Sequence, residues 1–255
     1  MRPEENIIKI ERWSRIVIGI VVLAVVAAVA VPYVYIHFIK DDAPKELSLA
    51  DVSVAPTNVT TVTTAGVTAS PTTPTAASAA SAPSSTTTYT LTSASQAGYR
   101  VVEVLFGQDT EGVGRTNSVT GTITLDGAQV TAATFSVDMA TLKSDADNRD
   151  NKFRGEIMQT STFPTATFTI TQPIELGSIP ADATAITASA TGDLTLHGVK
   201  KSVTLDVTAK KTGNSVAIAG STDVGFADYG IANPSNGAIT TEDHGMVEFL
   251  LVAAS

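Results

Sequence analysis

Apolar and polar residues alternate along most of the C-terminal two thirds of the chain. In the segment SVTGTITLDG, Val119, Ile123 and Leu125 share one parity and threonines occupy the other, and the same alternation recurs around Leu205 and Phe249. A period of two is typical of a β-strand with one buried face. Roughly eight such strands, without helices between most of them, predict an all-β antiparallel barrel or sandwich over residues 88–255.

Turn signals separate the predicted strands. Asp126-Gly127, His197-Gly198 and Gly213-Asn214 lie between alternating segments, and the string NPSNG follows at 233–237. Sequences of this kind favour tight turns between strands. We therefore expect neighbouring strands to form antiparallel hairpins.

One polar segment, SDADNRDNKFRGEIMQ at 144–159, breaks the alternation. Ser144 and Asp147 have the spacing of a capping box. Phe153 and Ile157 are four residues apart, so both would lie on one face of a helix. The segment therefore predicts a short helix that packs these two side chains across one end of the barrel.

A different pattern, apolar at nearly every position, occupies the N-terminal region. Residues 16–36 carry no charge over 21 positions, which is enough to cross a hydrocarbon layer of roughly 30 Å at about 1.5 Å per residue. Basic residues cluster over 9–15, and positive charge marks the cytoplasmic side of a span. The sequence predicts a single-pass cell-membrane anchor over 16–39, with residues 1–15 cytoplasmic and the remainder extracytoplasmic.

A cleaved signal peptide is the alternative for this region. Ala28–Ala30 has the small-x-small form that a signal peptidase accepts. The apolar run, however, continues through Ile36 and is far longer than the apolar core of a secretory signal. We favour an uncleaved signal anchor.

The predicted linker covers residues 40–87 and is dominated by Thr, Ser, Ala and Pro. It has almost no large side chains, so it cannot bury enough surface to offset the entropy lost on ordering. We expect a disordered tether that spans about 40 Å if it behaves as a flexible coil.

Charge and composition exclude several classes of protein. Residues 41–255 contain 11 Lys and Arg against 22 Asp and Glu, a formal net charge of −11, without a basic stripe. Nucleic acid is therefore not an expected partner. The chain has no cysteine, which excludes disulfides and thiolate chemistry. No Gly-x-Ser-x-Gly, phosphate-loop or His-Glu-x-x-His motif occurs, and we expect no metal and no cofactor.

Residues 88–255 resemble the YceI-like, polyisoprenoid-binding family, in the form that some actinobacterial proteins carry behind a membrane anchor. The order and spacing of the matching segments carry the resemblance. They are VTGTITLDG at 119–127, FSVDMATLKSDADNRDNKFR at 135–154, FPTATFTIT at 163–171, GDLTLHGVKKSVTLDV at 192–207 and FADYGIANPS at 226–235.

The resemblance implies a lipocalin-like, eight-stranded antiparallel barrel that encloses a long apolar ligand, an isoprenoid or another lipid chain, and it implies no established catalytic activity. An eight-stranded barrel has room for its own side chains or for one slim ligand. Small inward residues leave space for a tunnel, although they are equally compatible with a tightly drawn barrel. The expected lining residues are Phe135, Phe153, Phe168, Leu194 and Leu196.

The chain also departs from the family pattern. Many relatives carry an arginine where Phe226 stands, and many begin with a histidine-containing strand where this chain has AGYRVVEVLFG at 97–107. Arg149-Asp150 matches the family, and Lys152 occupies a position where histidine is common. A head-group site would therefore differ from that of the family, and so would the ligand.

His197 and Arg149 each have two interpretations. His197 is either a turn residue whose imidazole bonds to backbone, because Gly198 beside it readily takes a positive φ, or a head-group ligand at the barrel mouth together with Arg149 or Lys152. Arg149 either contacts ligand or forms a salt bridge with Asp145 or Asp150.

Three classes of function remain open at this point. The leading one is a membrane-tethered lipid-binding module. The second is a structural or interaction domain of the cell envelope with a filled barrel. The third is an enzyme that uses His197 with a carboxylate as acid and base. The sequence is compatible with a homodimer and leaves the oligomeric state open.

Overall fold

A computed structural model of the protein describes residues 4–34, 43–52, 86–105, 107–179, 183–237 and 239–255. The N-terminal helix α1 spans Glu4–Val34, with side chains described at positions 17–28, 30, 31, 33 and 34. Within this described part of the chain, no helix combines the length and the hydropathy that a bilayer crossing requires. The anchor predicted over residues 16–39 stays a prediction.

Thirteen strands form one sheet in the described residues. Their bounds are β1 Thr86–Leu91, β2 Gln96–Leu105, β3 Gln108–Thr116, β4 Val119–Asp126, β5 Gln129–Asp138, β6 Lys143–Ser144, β7 Thr165–Ile170, β8 Ile174–Glu175, β9 Ala185–Leu196, β10 Val199–Thr212, β11 Ser215–Gly225, β12 Ile239–Thr241 and β13 His244–Ala254.

The sheet closes into the predicted eight-stranded antiparallel barrel. Its strand order is β1-β4-β5-β7-β9-β10-β11-β13. Closure comes from β13, in which Ala253 and Ala254 lie opposite Leu91 and Thr90 of β1. β2 and β3 extend the sheet from the first half of β13. A closed barrel leaves no unpaired edge along its ring.

Three of the predicted turns form hairpins and define the two ends of the barrel. His197-Gly198 connects β9 to β10. Gly213-Asn214 connects β10 to β11, and the turn that begins at Gly127 connects β4 to β5. We call the end with His197-Gly198 the mouth end and the end with Gly127 and Gly213 the far end.

The predicted helix forms across the mouth end, with a different start. α2 spans Asp147–Lys152 and continues as a π-helical turn over Phe153–Ile157. The expected capping box between Ser144 and Asp147 is wrong, because the helix begins after Ala146 without a side-chain cap. Ser144 instead donates from its backbone N at 2.8 Å and its Oγ at 2.7 Å to Asp150 Oδ1. Asp150 is buried and therefore needs these partners.

Part of the predicted linker is also ordered. Residues 43–52, which we call the strap, pack on the outer wall of the barrel and contain a 3-10 turn over Leu49–Asp51. Leu47 is buried against Ala219 and Leu250, which face outward from β11 and β13. Burial of this leucine in an apolar patch contributes part of the free energy that opposes the entropy lost on ordering the strap. Residues 53–85 of the linker lie outside the described residues.

Candidate ligand cavity

A cavity of about 650 Å³ occupies the mouth-end half of the barrel. Its walls are mainly apolar, and they come from most strands of the barrel and from the helical segment α2 with its π-helical continuation. Exposed residues at the mouth end, such as Asn148 and Lys152, also line it. The cavity therefore reaches the protein surface at the mouth end.

The five apolar residues that the sequence predicts as lining residues all line this cavity. They are Phe135, Phe153, Phe168, Leu194 and Leu196. Strand alternation explains the four that lie on strands, since one parity of β5, β7 and β9 faces the barrel interior. Phe153 arrives from the helical segment and stacks on Tyr99 of β2, with ring centroids 4.9 Å apart and planes inclined by 9°.

An aromatic layer closes the inner end of the cavity. The ring centroid of Phe135 lies 5.5 Å from that of Phe168 and 5.3 Å from that of Phe249. Inward-facing glycines make room for two of these rings: a Cβ on Gly192 would lie 2.5 Å from Phe168 Cζ, and one on Gly220 would lie 2.7 Å from Phe249 Cζ. The layer is therefore built from large side chains set against glycines on neighbouring strands.

A second cavity of about 130 Å³ lies beyond this layer, towards the far end. Phe135, Phe168, Leu205 and Phe249 line both cavities. Its volume is close to that of an engineered protein cavity of about 150 Å³ that binds benzene. The barrel interior thus consists of a large chamber at the mouth and a small one behind the aromatic layer.

Arg149 lies at the mouth of the large cavity and is held by two carboxylates. Its Nη2 is 3.2 Å from Glu103 Oε2, and its Nη1 forms an ion pair with Asp145. Burial by itself would lower the pKa of Arg149, but the charges of Glu103 and Asp145 raise it above its ordinary value. The predicted salt bridge to Asp145 forms, and the guanidinium nevertheless lines the cavity.

Glu103 is the mouth residue that sequence reasoning missed. It is a buried carboxylate in β2, on the same parity as the inward-facing Tyr99 and Val101. The sequence signal for this site was an acidic residue at a strand position that alternation predicts to face inward. Charged groups are rarely buried without a partner, so such a position predicts a buried ion pair. That partner is Arg149, 46 positions away.

Further mouth residues come from β2, α2 and the segment before β13. Burial raises the pKa of Tyr99. Thr241 lines the cavity, and its buried Oγ1 has no hydrogen-bond partner among the described residues. Lys152 is exposed at the rim. Phe226 is buried and contributes an apolar part of the wall.

His197 lies outside the cavity lining. It is buried in the β9–β10 turn with a backbone φ of +50°, and its Nδ1 is 3.1 Å from the carbonyl oxygen of Tyr229. Its ring packs edge-on against Phe163 at 4.5 Å. The interpretation of His197 as a turn residue bonded to backbone describes this geometry. The head-group and acid–base interpretations both lack the required contact with the cavity.

His244 is the other histidine whose side chain the structure describes. His244 lies beside Asp243 and Glu242 at the exposed start of β13, and the hydrogen bond that its imidazole donates to the Asp243 carboxylate raises the pKa of His244. Across the described ranges, no group of three or more His, Cys, Asp or Glu side chains is arranged to hold a metal ion.

A closed eight-stranded antiparallel barrel around an apolar cavity is the architecture of barrels that hold one small ligand, such as the lipocalins. The family model for the YceI-like domain matches residues 89–253. The chain therefore belongs to the YceI-like family.

One curated protein and two solved structures illustrate what this chain is similar to. UPF0312 protein VPA0850 of Vibrio parahaemolyticus is 29% identical over 127 residues, which cover 46% of this chain and 64% of that protein, less than two thirds of its length. A polyisoprenoid binding domain from Saccharophagus degradans, implicated in plant cell wall breakdown, has the same fold with a TM-score of 0.52 and 16% identity, covering 66% of this chain and 98% of that domain. BcnA of Burkholderia cenocepacia has a TM-score of 0.48 and 21% identity, covering 62% and 96%.

Proposed function

We propose that this protein binds a lipid, an isoprenoid-like or other long apolar chain, inside its barrel, and that it does so at the outer face of the cell membrane. The apolar cavity of about 650 Å³ carries the proposal. Its volume falls within the range of roughly 300–1,000 Å³ of typical ligand pockets. Each methylene that a ligand buries there contributes about 0.8 kcal/mol.

The isoprenoid-like character of the ligand draws on two further points. The Saccharophagus degradans domain that shares the fold is a polyisoprenoid binding domain. In this chain, a cavity with mainly apolar walls along its depth and charged side chains at its mouth suits a ligand with a long tail and one polar end. Arg149, Lys152 and Thr241 are the groups that would face that end.

The competing function is that of a structural or interaction domain whose barrel is filled by its own side chains. It requires side chains to occupy the interior, and the two cavities on either side of the aromatic layer argue against it. An enzyme that uses His197 would need the imidazole beside the ligand, whereas its ring is held by Tyr229 and Phe163.

The tether and location are the second part of the proposal. Described apolar side chains of α1 are exposed, for example Leu23 at 70% and Val31 at 65%, and contiguous exposed apolar surface marks a contact with lipid or protein. The basic cluster over 9–15 favours a cytoplasmic N-terminus. The barrel would then lie outside the cell, close to the bilayer.

Native mass spectrometry of the full chain, released from detergent, tests ligand binding when it is combined with lipid extraction of the same sample. We expect one chain-like lipid per barrel. Leu194→Lys, which places a charge on the cavity wall, should remove the lipid. Thr195→Lys makes the matched change on the outward-facing parity and should keep it. A bare protein mass after incubation with prenyl and acyl lipids would contradict the proposal and favour the filled barrel.

Carbonate extraction and surface proteolysis test the tether separately. The full chain should stay in the membrane pellet at alkaline pH, and protease added outside intact spheroplasts should cleave between residue 36 and the barrel. Release of the uncleaved chain by carbonate would exclude a spanning anchor while leaving the ligand cavity unaffected.

A further inference from the structure

The strap is bound to the outer wall by a buried charge cluster. Glu248 of β13 is 1% exposed, and its carboxylate lies 2.8 Å from Arg115 and 3.7 Å from Arg100. The backbone N of Leu47 donates to Glu248 Oε2 at 3.3 Å. Arg100 donates to the carbonyl oxygen of Pro44 at 2.5 Å, and Arg115 donates to that of Lys45. Three charged side chains thus form hydrogen bonds with three main-chain groups of the strap.

The strap runs along the barrel from the mouth-end half to the far end. Its first contact, Pro44 with Arg100, lies beside Met246, which pairs with Arg100 and lines the large cavity. Its last residues, Leu49 and Val52, lie beside residues of the β10–β11 hairpin at the far end: Lys210, Thr212, Ser215 and Val216. The chain therefore approaches the barrel near the mouth and leaves it at the opposite end.

The number of residues between α1 and the strap limits how far the mouth-end half of the barrel can lie from α1. Only residues 35–42 separate α1 from the strap, and eight residues reach at most about 30 Å. Val52 lies at the far end, and Thr86, where the described chain resumes, pairs with Asp126 at that same far end. Without strap docking, α1 would be joined to the barrel only through residues 35–85, at the end remote from the mouth.

We propose that the strap orients the barrel, holding the cavity mouth towards the bilayer that contains α1. This inference rests on the proposed membrane tether, and it adds the partner surface, a lipid bilayer, that the mouth faces. When the strap is docked, residues 35–42 form a short connection between α1 and the barrel near the mouth. When it is undocked, residues 35–85 form a long connection that reaches the barrel at the far end. A lipid would then pass between bilayer and cavity without the barrel having to turn over.

Energy transfer in nanodiscs tests the orientation. The chain has no cysteine, so a single donor dye can be attached through Asp109→Cys, in the β2–β3 hairpin at the mouth end, or through Asn214→Cys, at the far end; both positions are exposed. The full chain is placed in phosphatidylcholine nanodiscs that contain an acceptor-labelled lipid. We expect stronger transfer from position 109 than from position 214.

Strap variants then identify the cause of the difference. Leu47→Asp places a carboxylate in the apolar patch and close to Glu248, so it should undock the strap, and the advantage of position 109 should vanish or reverse. Ala50→Asp introduces the same residue at an exposed strap position and should leave the advantage intact. Trypsin cleavage after Lys45 reports undocking independently, because Arg115 holds that carbonyl in the docked strap. Cleavage should accelerate at least severalfold in Leu47→Asp alone.

Equal transfer from the two positions in the unaltered strap would overturn the proposal, and so would an unchanged difference in an undocked Leu47→Asp chain. Absence of the chain from purified nanodiscs would overturn the tether and the orientation together. Lipid retention in native mass spectrometry depends on neither result, so failure of the orientation is distinguishable from failure of ligand binding.

Discussion

The Nδ1 atom of His197 lies 3.1 Å from the carbonyl oxygen of Tyr229. A carbonyl oxygen only accepts hydrogen bonds, so Nδ1 carries the proton in this pair. The bond joins the β9–β10 turn to a 3-10 turn over Ala227–Tyr229, which directly follows the cavity-lining residue Phe226. His197 therefore supports the wall of the cavity from outside the lining.

Replacing His197 should affect stability and leave ligand binding intact. His197→Ala loses the bond to Tyr229 and places alanine at a positive φ, so we expect a loss of about 1–3 kcal/mol in the free energy of unfolding. His197→Asn should lose less, because asparagine tolerates the left-handed region better. Urea unfolding measures the first effect, and native mass spectrometry measures bound lipid. Lipid missing from a folded His197→Ala protein would return His197 to the ligand site.

Phe135→Ala should join the two chambers and favour longer chains. Phe135 contacts both other rings of the aromatic layer, so its removal opens the way to the cavity of about 130 Å³. A tenfold preference corresponds to about 1.4 kcal/mol, which fewer than two additional buried methylenes supply at about 0.8 kcal/mol each. We therefore expect at least a tenfold shift towards the longer of two prenyl chains in a competition measured by native mass spectrometry.

Phe163→Ala is the control for this experiment, since Phe163 lines neither cavity and packs against His197. Both variants should lose stability, and only Phe135→Ala should change chain-length preference. An unchanged preference in folded Phe135→Ala would show that the layer does not limit the ligand.

Glu103→Gln should strengthen binding of anionic head groups. Glu103 lies 3.2 Å from Arg149 and offsets its charge at the mouth. At an effective dielectric constant of about 20, two charges 4 Å apart interact by about 4 kcal/mol before solvation costs. Removing the Glu103 charge should therefore raise affinity for a prenyl phosphate at least severalfold over the matching prenyl alcohol.

Fluorescence titration with the two prenyl ligands measures this ratio. Glu156→Gln removes a charge from the π-helical turn at a position outside the cavity lining, and it should leave the ratio unchanged. If Glu103→Gln also leaves it unchanged, the head group does not reach Arg149.

Asp150 should contribute stability that depends on pH. Burial by itself would raise the pKa of Asp150, but hydrogen bonds from Ser144 and the charge of Lys143 lower it below its ordinary value of 3.8. Because the pKa is lower in the folded state than in the unfolded state, the contribution is present above the unfolded value and is lost as the pH falls through the folded one. Asp150→Asn should therefore cost about 1–3 kcal/mol near neutral pH and progressively less below about pH 4.

Urea unfolding of both proteins across this pH range provides the measurement. Asp147→Asn is the control, because the Asp147 side chain is 94% exposed and lies 3.8 Å from Lys143. An exposed pair of this kind contributes about 0–1 kcal/mol. A difference between wild type and Asp150→Asn that persists undiminished at low pH would contradict the assigned role.

Local pattern was sufficient for the elements that repeat a simple rule. The alternation around Ile123, Leu194 and Leu205 predicted strands with one buried face, because neighbouring side chains of a strand point to opposite sides of the sheet. The same rule placed Phe135 and Phe168 inside. Turn dipeptides such as His197-Gly198 predicted hairpins, since two successive residues with positive φ suit the twist of the strands they connect.

Features that join distant parts of the chain needed the tertiary structure. Glu103 meets Arg149 across 46 positions, and the strap meets Glu248 across 201. Composition around residues 43–52 predicted disorder, because the sequence does not show the apolar patch at Ala219 and Leu250 that buries Leu47.

The sequence by itself therefore determined the all-β class, the strand parities, the main turns and the family resemblance. Only the tertiary structure decided that His197 bonds to Tyr229, that an aromatic layer divides the interior, and that the strap docks on the outer wall. The physical reason is that periodicity along a chain reports which side of each element faces the core, whereas partners across the fold depend on strand register and barrel closure.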